Sequence, residues 1–277
     1  MKKSKRSVIP GFGISMGVTL TMLSIIVLIP LISLVVFTMQ MDLKEIIEII
    51  TRERVLASFK VSIQTTLIAS LINAVMGLIL AWVLVRYDFP GKKIMDGMIE
   101  LPFAMPTAVA GIALTSLTTD QGLVGSFFAR YGIKIAYTKI GITIALVFVG
   151  IPFVVRSVQP VLEKLDYSYE EAAGVLGASP LMIFWKVIFP EVLPALVTGF
   201  GLAFGRCLGE YGSVVFIAGN KPYETEIVPL IIMSELQEFD YSSATAIALV
   251  MLLISFFILF LINMIQARNT KILKGGR

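Results

Sequence analysis

Residues 167–194 read YSYEEAAGVLGASPLMIFWKVIFPEVLP, a mixed polar and apolar stretch set between long hydrophobic runs. Its spacing predicts two short helices joined at a bend. Ser168 and Glu171 have capping-box spacing, in which the Ser168 hydroxyl accepts from the Glu171 amide and the Glu171 carboxylate reaches back to the Ser168 amide. A helix therefore begins near Tyr169. Gly177 suits the left-handed conformation that ends it, and Ser179-Pro180 supplies a new N-cap with proline at N1, where its missing amide hydrogen costs nothing. The second helix is expected to run from Pro180 to a break at Pro190. Leu181, Phe184, Trp185 and Ile188 then share one face. Packing of that face on the chain's own bundle and docking on a partner both fit the periodicity, and the small residues Ala172, Ala173 and Gly177 favour close approach by a partner.

The composition around this stretch defines its setting. The chain has 277 residues, 57% hydrophobic and 15% charged, with mean hydropathy +0.88. Soluble domains run at roughly 45–50% apolar and about 25% charged, so this is an integral membrane protein. A net charge of +4 would suggest nucleic acid in a soluble protein; here the basic residues flank apolar runs, which fits membrane orientation and no nucleic-acid partner. The single cysteine, Cys207, excludes an intramolecular disulfide, and the absence of histidine removes the usual metal ligand and general base. No catalytic or metal site is expected. There is no G-x-x-x-x-G-K-[ST] motif, so any ATP must be held by another subunit.

Six spans are predicted, giving an all-α polytopic membrane protein. They are Ile14 to Met39, too long for a signal peptide and with a kink expected at Pro30; Val61 to Val85; Ile94 to Leu117; Ile140 to Val155, ending at Pro152 and Arg156; Val192 to Ala218; and Ser243 to Ile265. Asp42 to Lys60 places Leu43, Ile46, Ile47 and Ile50 on one face, as an interfacial or a connecting helix would. Val228 to Met233, in an acidic outer loop, is apolar enough to dip into the membrane. Of the 23 Lys and Arg residues, 14 fall on the side of the N-terminus and eight on the other, with Arg206 intramembrane. Both termini and residues 167–194 are therefore cytoplasmic.

Two stretches carry polar chemistry inside these spans. ELPFAMPTAVAG places Pro102 and Pro106 after Glu100. Each proline frees a carbonyl near its i−4 position, which is tolerable at membrane depth beside protein or a water path. This is a candidate pore-lining helix, or else a helix kinked near the interface with Glu100 facing cytoplasmic water. Arg206 and Glu210 are four apart and share a helix face. They form a structural ion pair or, alternatively, offer a positive charge to an anion in transit. Gly201, Gly205 and Gly209 make a small-residue face for helix crossing.

Glu171-Ala172-Ala173, Gly177 and Val187-Ile188-Phe189-Pro190 resemble the cytoplasmic signature loop of ABC importer permeases, E-A-A, three residues, Gly, nine residues, I-x-L-P. Val187 and Phe189 depart from that pattern by apolar exchange. LPFAMPTAVAGIAL at 101–114, GEYGSVVFIAGN at 209–220, TEIVPLIIM and FDYSSATAIA resemble the T-type permease subunits of sulfate/thiosulfate importers. Molybdate permeases share much of this pattern, commonly with Phe where Tyr211 stands, so a molybdate/tungstate importer is the alternative. The resemblance covers roughly Ser58 to Ile262 and implies a MetI-like type-1 transmembrane domain over 58–262, with a coupling loop at 163–190. Residues 1–57 would hold the N-terminus, the first helix and an outer amphipathic segment, and 263–277 the basic tail.

The resemblance further implies a cytoplasmic-membrane complex, prokaryotic or plastid-type. It would comprise a second, related permease subunit, two copies of an ATPase that holds ATP and Mg, and an extracytoplasmic sulfate-binding protein. Glu171, Ala172, Ala173, Gly177, Pro180, Phe184, Trp185 and Pro190 would engage the ATPase. Pro102, Pro106, Thr107, Thr115, Ser116, Arg206 and Glu210 would line the anion's path. An ion-coupled secondary transporter and an intramembrane enzyme using Glu100, Arg206 and Glu210 are the rival classes.

Overall fold

The computed structural model describes residues 11–275, which are helical throughout apart from connecting turns. The basic residues Lys2, Lys3, Lys5, Arg6 and Arg277 lie outside the described residues. The first membrane-length helix comprises α1 (Phe12–Leu23), a wide π turn (Ser24–Leu28) and α2 (Ile29–Thr38). There follow α3 (Leu43–Thr51), α4 (Glu53–Arg86), α5 (Lys92–Ala104), α6 (Thr107–Thr118), α7 (Leu123–Ala129) and α8 (Lys139–Lys164). Next are α9 (Ser168–Val175), α10 (Pro180–Ile183), a second π turn (Phe184–Ile188) and α11 (Phe189–Leu208), then α12 (Val214–Ile217), α13 (Val228–Gln237) and α14 (Tyr241–Gly275). Five helical runs are long and apolar enough to cross a membrane, and α5 with α6, bent by 115°, makes a sixth if the pair counts as one broken span.

The three helices α4, α8 and α11 form the centre. In lipid, water expulsion gives helices little reason to associate, so close contact must supply the attraction. A Cβ at Gly77 would lie 2.7 Å from Val154 Cγ1, and one at Gly199 would lie 2.8 Å from Val154 Cα. Helix α8 is thus clasped where its neighbours have no side chain. Val154, Val155, Val158, Leu162 and Val192 fill the cytoplasmic half of this core, and Val61, Ile142, Leu146 and Val214 the outer half. A third cluster joins Ile49, Val55 and Phe59 to Val228 and Ile231 of α13 and to Ile247 of α14. Hydrogen bonds fix this outer corner: Arg54 holds Glu226 through two contacts of 2.9 and 2.6 Å, and Val228 N donates to Ser62 Oγ at 2.8 Å.

The prolines act differently from their sequence reading. Pro30 and Pro190 each follow a π turn, and the carbonyl their rings would strike, at Ile26 and Lys186, lies inside that widened turn. Pro190 therefore does not end the second helix of the signature loop, and Pro180–Leu208 runs as one 29-residue span. Pro152 does not end the fourth span either. One missing ladder bond is tolerated between α4 and α11, and α8 continues through Arg156 and Pro160 to Lys164.

Pro106, by contrast, breaks the third span. Met105 is extended (φ −94°, ψ 138°), as a residue before proline is driven to be. Pro106 then caps α6, and the two helices meet at 115°. Pro102 stays inside α5. The fifth span stops at Leu208, well short of Ala218, because the chain turns through 209–213 before α12. Gly201 and Gly205 face Ile262 and Leu259 of α14, as a crossing face should, but Gly209 lies beyond the helix end and meets nothing within 4 Å. On α3 the packed edge is Ile46, Ile49 and Ile50, while Leu43 and Ile47 are exposed. The single extended residue Arg52 joins α3 to α4, and that tight corner sets which edge faces inward.

Candidate functional site

The cytoplasmic loop forms the predicted helix-bend-helix. Its first cap differs: Tyr167 is already helical (φ −59°, ψ −25°), so Ser168 lies inside α9 and donates its amide to Asp166 Oδ1 at 3.0 Å. The Glu171 amide goes to the Tyr167 carbonyl, so no capping box forms. The end of α9 follows expectation. Gly177 takes φ +84° and Ala178 N donates to Ala173 O at 3.0 Å, the six-to-one bond of a Schellman cap. Ser179 Oγ then accepts from Met182 N at 3.4 Å.

The apolar face of this loop divides. Ile188 is buried and Phe184 meets Trp82 of α4 edge-on at 5.8 Å, so these two pack on the bundle. Val175, Leu176, Leu181 and Trp185 are 89%, 87%, 72% and 57% exposed. Glu171, Ala172, Gly177 and Pro180 are also exposed, while Ala173 and Pro190 are half-buried.

One residue of this assembly escaped the sequence reading. Arg86, the last residue of α4, has a side chain only 5% exposed and donates through Nη2 to Glu170 Oε1 at 2.5 Å. Its guanidinium lies 4.1 Å from the Tyr167 ring centre and 5.6 Å from that of Trp82. A cation between two aromatic faces and a carboxylate fastens the loop to a membrane helix. The only sequence signal was the Arg at the helix end, four residues after Trp82; Tyr167 and Glu170 lie over 80 residues away. A second tie joins α5 to α8: Arg156 pairs with Asp96 and Glu100, each at 2.7 Å. Glu100 is thereby committed to an ion pair.

Inside the membrane the two motif stretches meet. A Cβ at Gly111 would lie 2.5 Å from Ser213 O, and Gly212 abuts Thr107 Oγ1. The break after α11 thus rests on the start of α6. Glu210, 2% exposed, holds that break: one oxygen accepts from Arg206 Nη1 at 2.5 Å, the other from Ser213 N and Oγ at 2.9 and 3.0 Å. The predicted Arg206–Glu210 pair exists, and Glu210 also satisfies an amide released by the turn. Arg206 keeps a side chain 38% exposed. Thr115 and Ser116 line a cleft of about 480 Å³ at the outer end of α6, which Arg206 and Glu210 do not line. The Thr115 hydroxyl donates to Gly111 O at 2.7 Å. Among the described residues no cluster could hold a metal ion.

Residues 73–271 match the family described as binding-protein-dependent transport system inner membrane component. The chain belongs to this family, and so is a multi-pass permease subunit of the inner membrane rather than an enzyme. It is 49% identical over 265 residues to the sulfate transport system permease protein CysT of Salmonella typhimurium (strain LT2), covering 96% of each chain. It is 45% identical to CysT of Synechocystis sp. over 249 residues, covering 90% of this chain and 87% of that protein. Its fold is similar to a chain of the bacterial alginate ABC transporter solved with an alginate-bound periplasmic protein (TM-score 0.78, 18% identity, 93% and 94% covered). It also resembles a chain of the inward-facing MetNI methionine ABC transporter (TM-score 0.57, 17% identity, 79% and 99% covered).

Proposed function

We infer that this chain forms half of the membrane pathway of an ATP-driven sulfate/thiosulfate importer. The observation that carries the substrate is the 49% identity to a sulfate permease across 96% of both chains. A second, related permease subunit would complete the pathway. Two ATPase copies would hold ATP and Mg, and an extracytoplasmic binding protein would deliver the anion. The exposed patch of Val175, Leu176, Leu181 and Trp185, with Glu171 and Ala172 beside it, supports docking of the ATPase there.

The path of force follows from the contacts. Movement of the loop reaches α11 directly, because Pro180–Leu208 is one span, and reaches α4 through Glu170 and Tyr167 on Arg86. A shift of α11 moves Glu210 and the 209–213 turn against Gly111 and Thr107 of α6. Pro106 keeps α5 and α6 as two bodies able to respond separately. For a doubly charged anion the main barrier is loss of water, and Arg206 offers partial compensation along the path while Glu210 keeps the anion from being held tightly.

The test is uptake of radiolabelled sulfate in cells with and without this chain, with unlabelled thiosulfate and molybdate as competitors. Loss of sulfate uptake without the chain, and competition by thiosulfate but little by molybdate, is expected. Unchanged sulfate uptake with lost molybdate or tungstate uptake would replace the substrate.

A further inference from the structure

The cleft of about 480 Å³ at the outer end of α6 adjoins a second of about 680 Å³, and the two share Thr119, Gln121 and Tyr137. Both open on the face assigned to the outside by the distribution of basic residues. Their lining has an excess of donors. Lys134 and Lys221 bring two ammonium groups against one carboxylate, Asp120. Lys134 stands 3.9 Å from Asp120, at the limit of an ion pair, and Lys221 has no ionic partner among the described residues. The side chains of Ser116, Gln121 and Tyr137 likewise make no hydrogen bond there. The threonines differ, since Thr115 and Thr119 spend their hydroxyl protons on the Gly111 and Ser116 carbonyls.

Tyr137 is held in place at a conformational cost. Its φ is +62°, unusual for an aromatic residue. Its amide donates to Ile217 O at 2.8 Å, and its Cβ lies 2.9 Å from where Gly219 would carry one. Backbone strain that the surroundings enforce is concentrated at sites that use it. Here it keeps the tyrosine at the junction of the two clefts.

We propose that these clefts form an entrance site for a tetrahedral oxyanion, with Lys134 and Lys221 drawing the anion in and Ser116, Gln121 and Tyr137 replacing part of its water shell. This rests on the oxyanion-import reading and adds the place where the anion first meets the permease. Charge-assisted donors suit a doubly charged oxyanion, and Asp120 weakens the hold so that the anion moves on. Inward along α6 lies Gly111, against Ser213 and hence beside the Arg206–Glu210 pair.

The experiment uses spheroplasts producing the assembled transporter, radiolabelled sulfate, and purified binding protein over a range of concentrations. For Lys134→Gln/Lys221→Gln, the maximal uptake rate should fall about tenfold with the half-saturating binding protein unchanged, and Lys221→Arg should keep most of the rate. Tyr137→Phe, which removes one hydroxyl, should lower the maximal rate without changing the amount of chain in the membrane; it carries the test if the double variant fails to assemble. An unchanged maximal rate overturns the proposal. So does a change confined to the half-saturating concentration, which would make the lysines a contact for the binding protein. Failure of the wild type to take up sulfate would instead overturn the import reading itself.

Discussion

The guanidinium of Arg86 lies 4.1 Å from the centre of the Tyr167 ring, joining the end of a central membrane helix to the cytoplasmic loop. The same group pairs with Glu170, with side chains 5% and 23% exposed. Arg86→Ala should cost on the order of 3 kcal/mol, since removing one partner strands the other. It should also lower sulfate uptake per ATP hydrolysed. Arg86→Lys keeps the charge but loses the planar stacking and should fall between. Thermal unfolding of the solubilised protein, read beside uptake, checks both; wild-type values for Arg86→Ala would make the contact idle.

Gly177 holds the bend at φ +84°. Gly177→Val should distort the bend and reduce uptake, because a β-branched residue is strained in that conformation. Gly177→Asn should retain more activity, since asparagine visits this region at lower cost. Co-purification of the ATPase with each variant reports whether docking or a later step is lost. Glu171→Lys should reduce co-purification without unfolding, as Glu171 is exposed.

Glu210 serves Arg206 and the 209–213 turn together. Arg206→Ala leaves a carboxylate that is 2% exposed without its cation and should destabilise the protein by roughly 3 kcal/mol. Glu210→Gln should be milder than Glu210→Ala, because an amide oxygen still accepts from Ser213. Thermal midpoints rank the three. If Arg206→Ala folds and transports normally, Arg206 has no part in the pathway.

Gly150 sits against the Asn73 amide, which is buried and makes no hydrogen bond among the described residues. Gly150→Ala alone should weaken the α4–α8 contact, because its Cβ would strike Asn73 Nδ2 and lie 2.9 Å from Cys207 Sγ, and Asn73→Ala should relieve the closer of the two. The double variant is therefore expected to be more stable than Gly150→Ala. A purely additive cycle would show that the two positions do not press on each other.

Asp240 accepts from Ser243 N at 2.9 Å and from its hydroxyl at 2.6 Å, which caps α14. Hydrogen bonds from Ser243 hold its carboxyl below the ordinary value. Its folded pKa is lowered, so the stabilisation is present above the ordinary carboxylate range and is lost as pH falls through the folded value. Asp240→Ala should cost about 1 kcal/mol near neutral pH. The difference from wild type should shrink as the medium is acidified, in thermal unfolding measured across pH.

Composition made the all-helical membrane architecture of five to six spans legible, and with it the place of the loop between the fourth and fifth predicted spans, because both depend on local sequence and bilayer thickness. The Gly177 bend and the Ser179 cap were legible for the same reason. The effect of each proline was not: Pro30 and Pro190 are absorbed by π turns, whereas Pro106 breaks its helix. The pairing of Arg206 with Glu210 could be read from a spacing of four. Its extension to Ser213 depends on a helix ending at Leu208, before Gly209-Glu210-Tyr211-Gly212, which the predicted span from Val192 to Ala218 runs straight through. Arg86 with Glu170, and Gly111 with Ser213, are contacts between distant segments and leave no local trace.

The claim that force enters through residues 168–189 is tested most directly by a photo-reactive label at Leu176. The native Cys207 is buried, so Leu176→Cys supplies an accessible thiol at a position 87% exposed. In membranes competent for sulfate uptake, the label should cross-link to the ATPase subunit, with a yield that changes when ATP is added and falls in a Glu171→Lys background. Cross-links to lipid or to this chain alone, in membranes that still transport sulfate, would contradict the account.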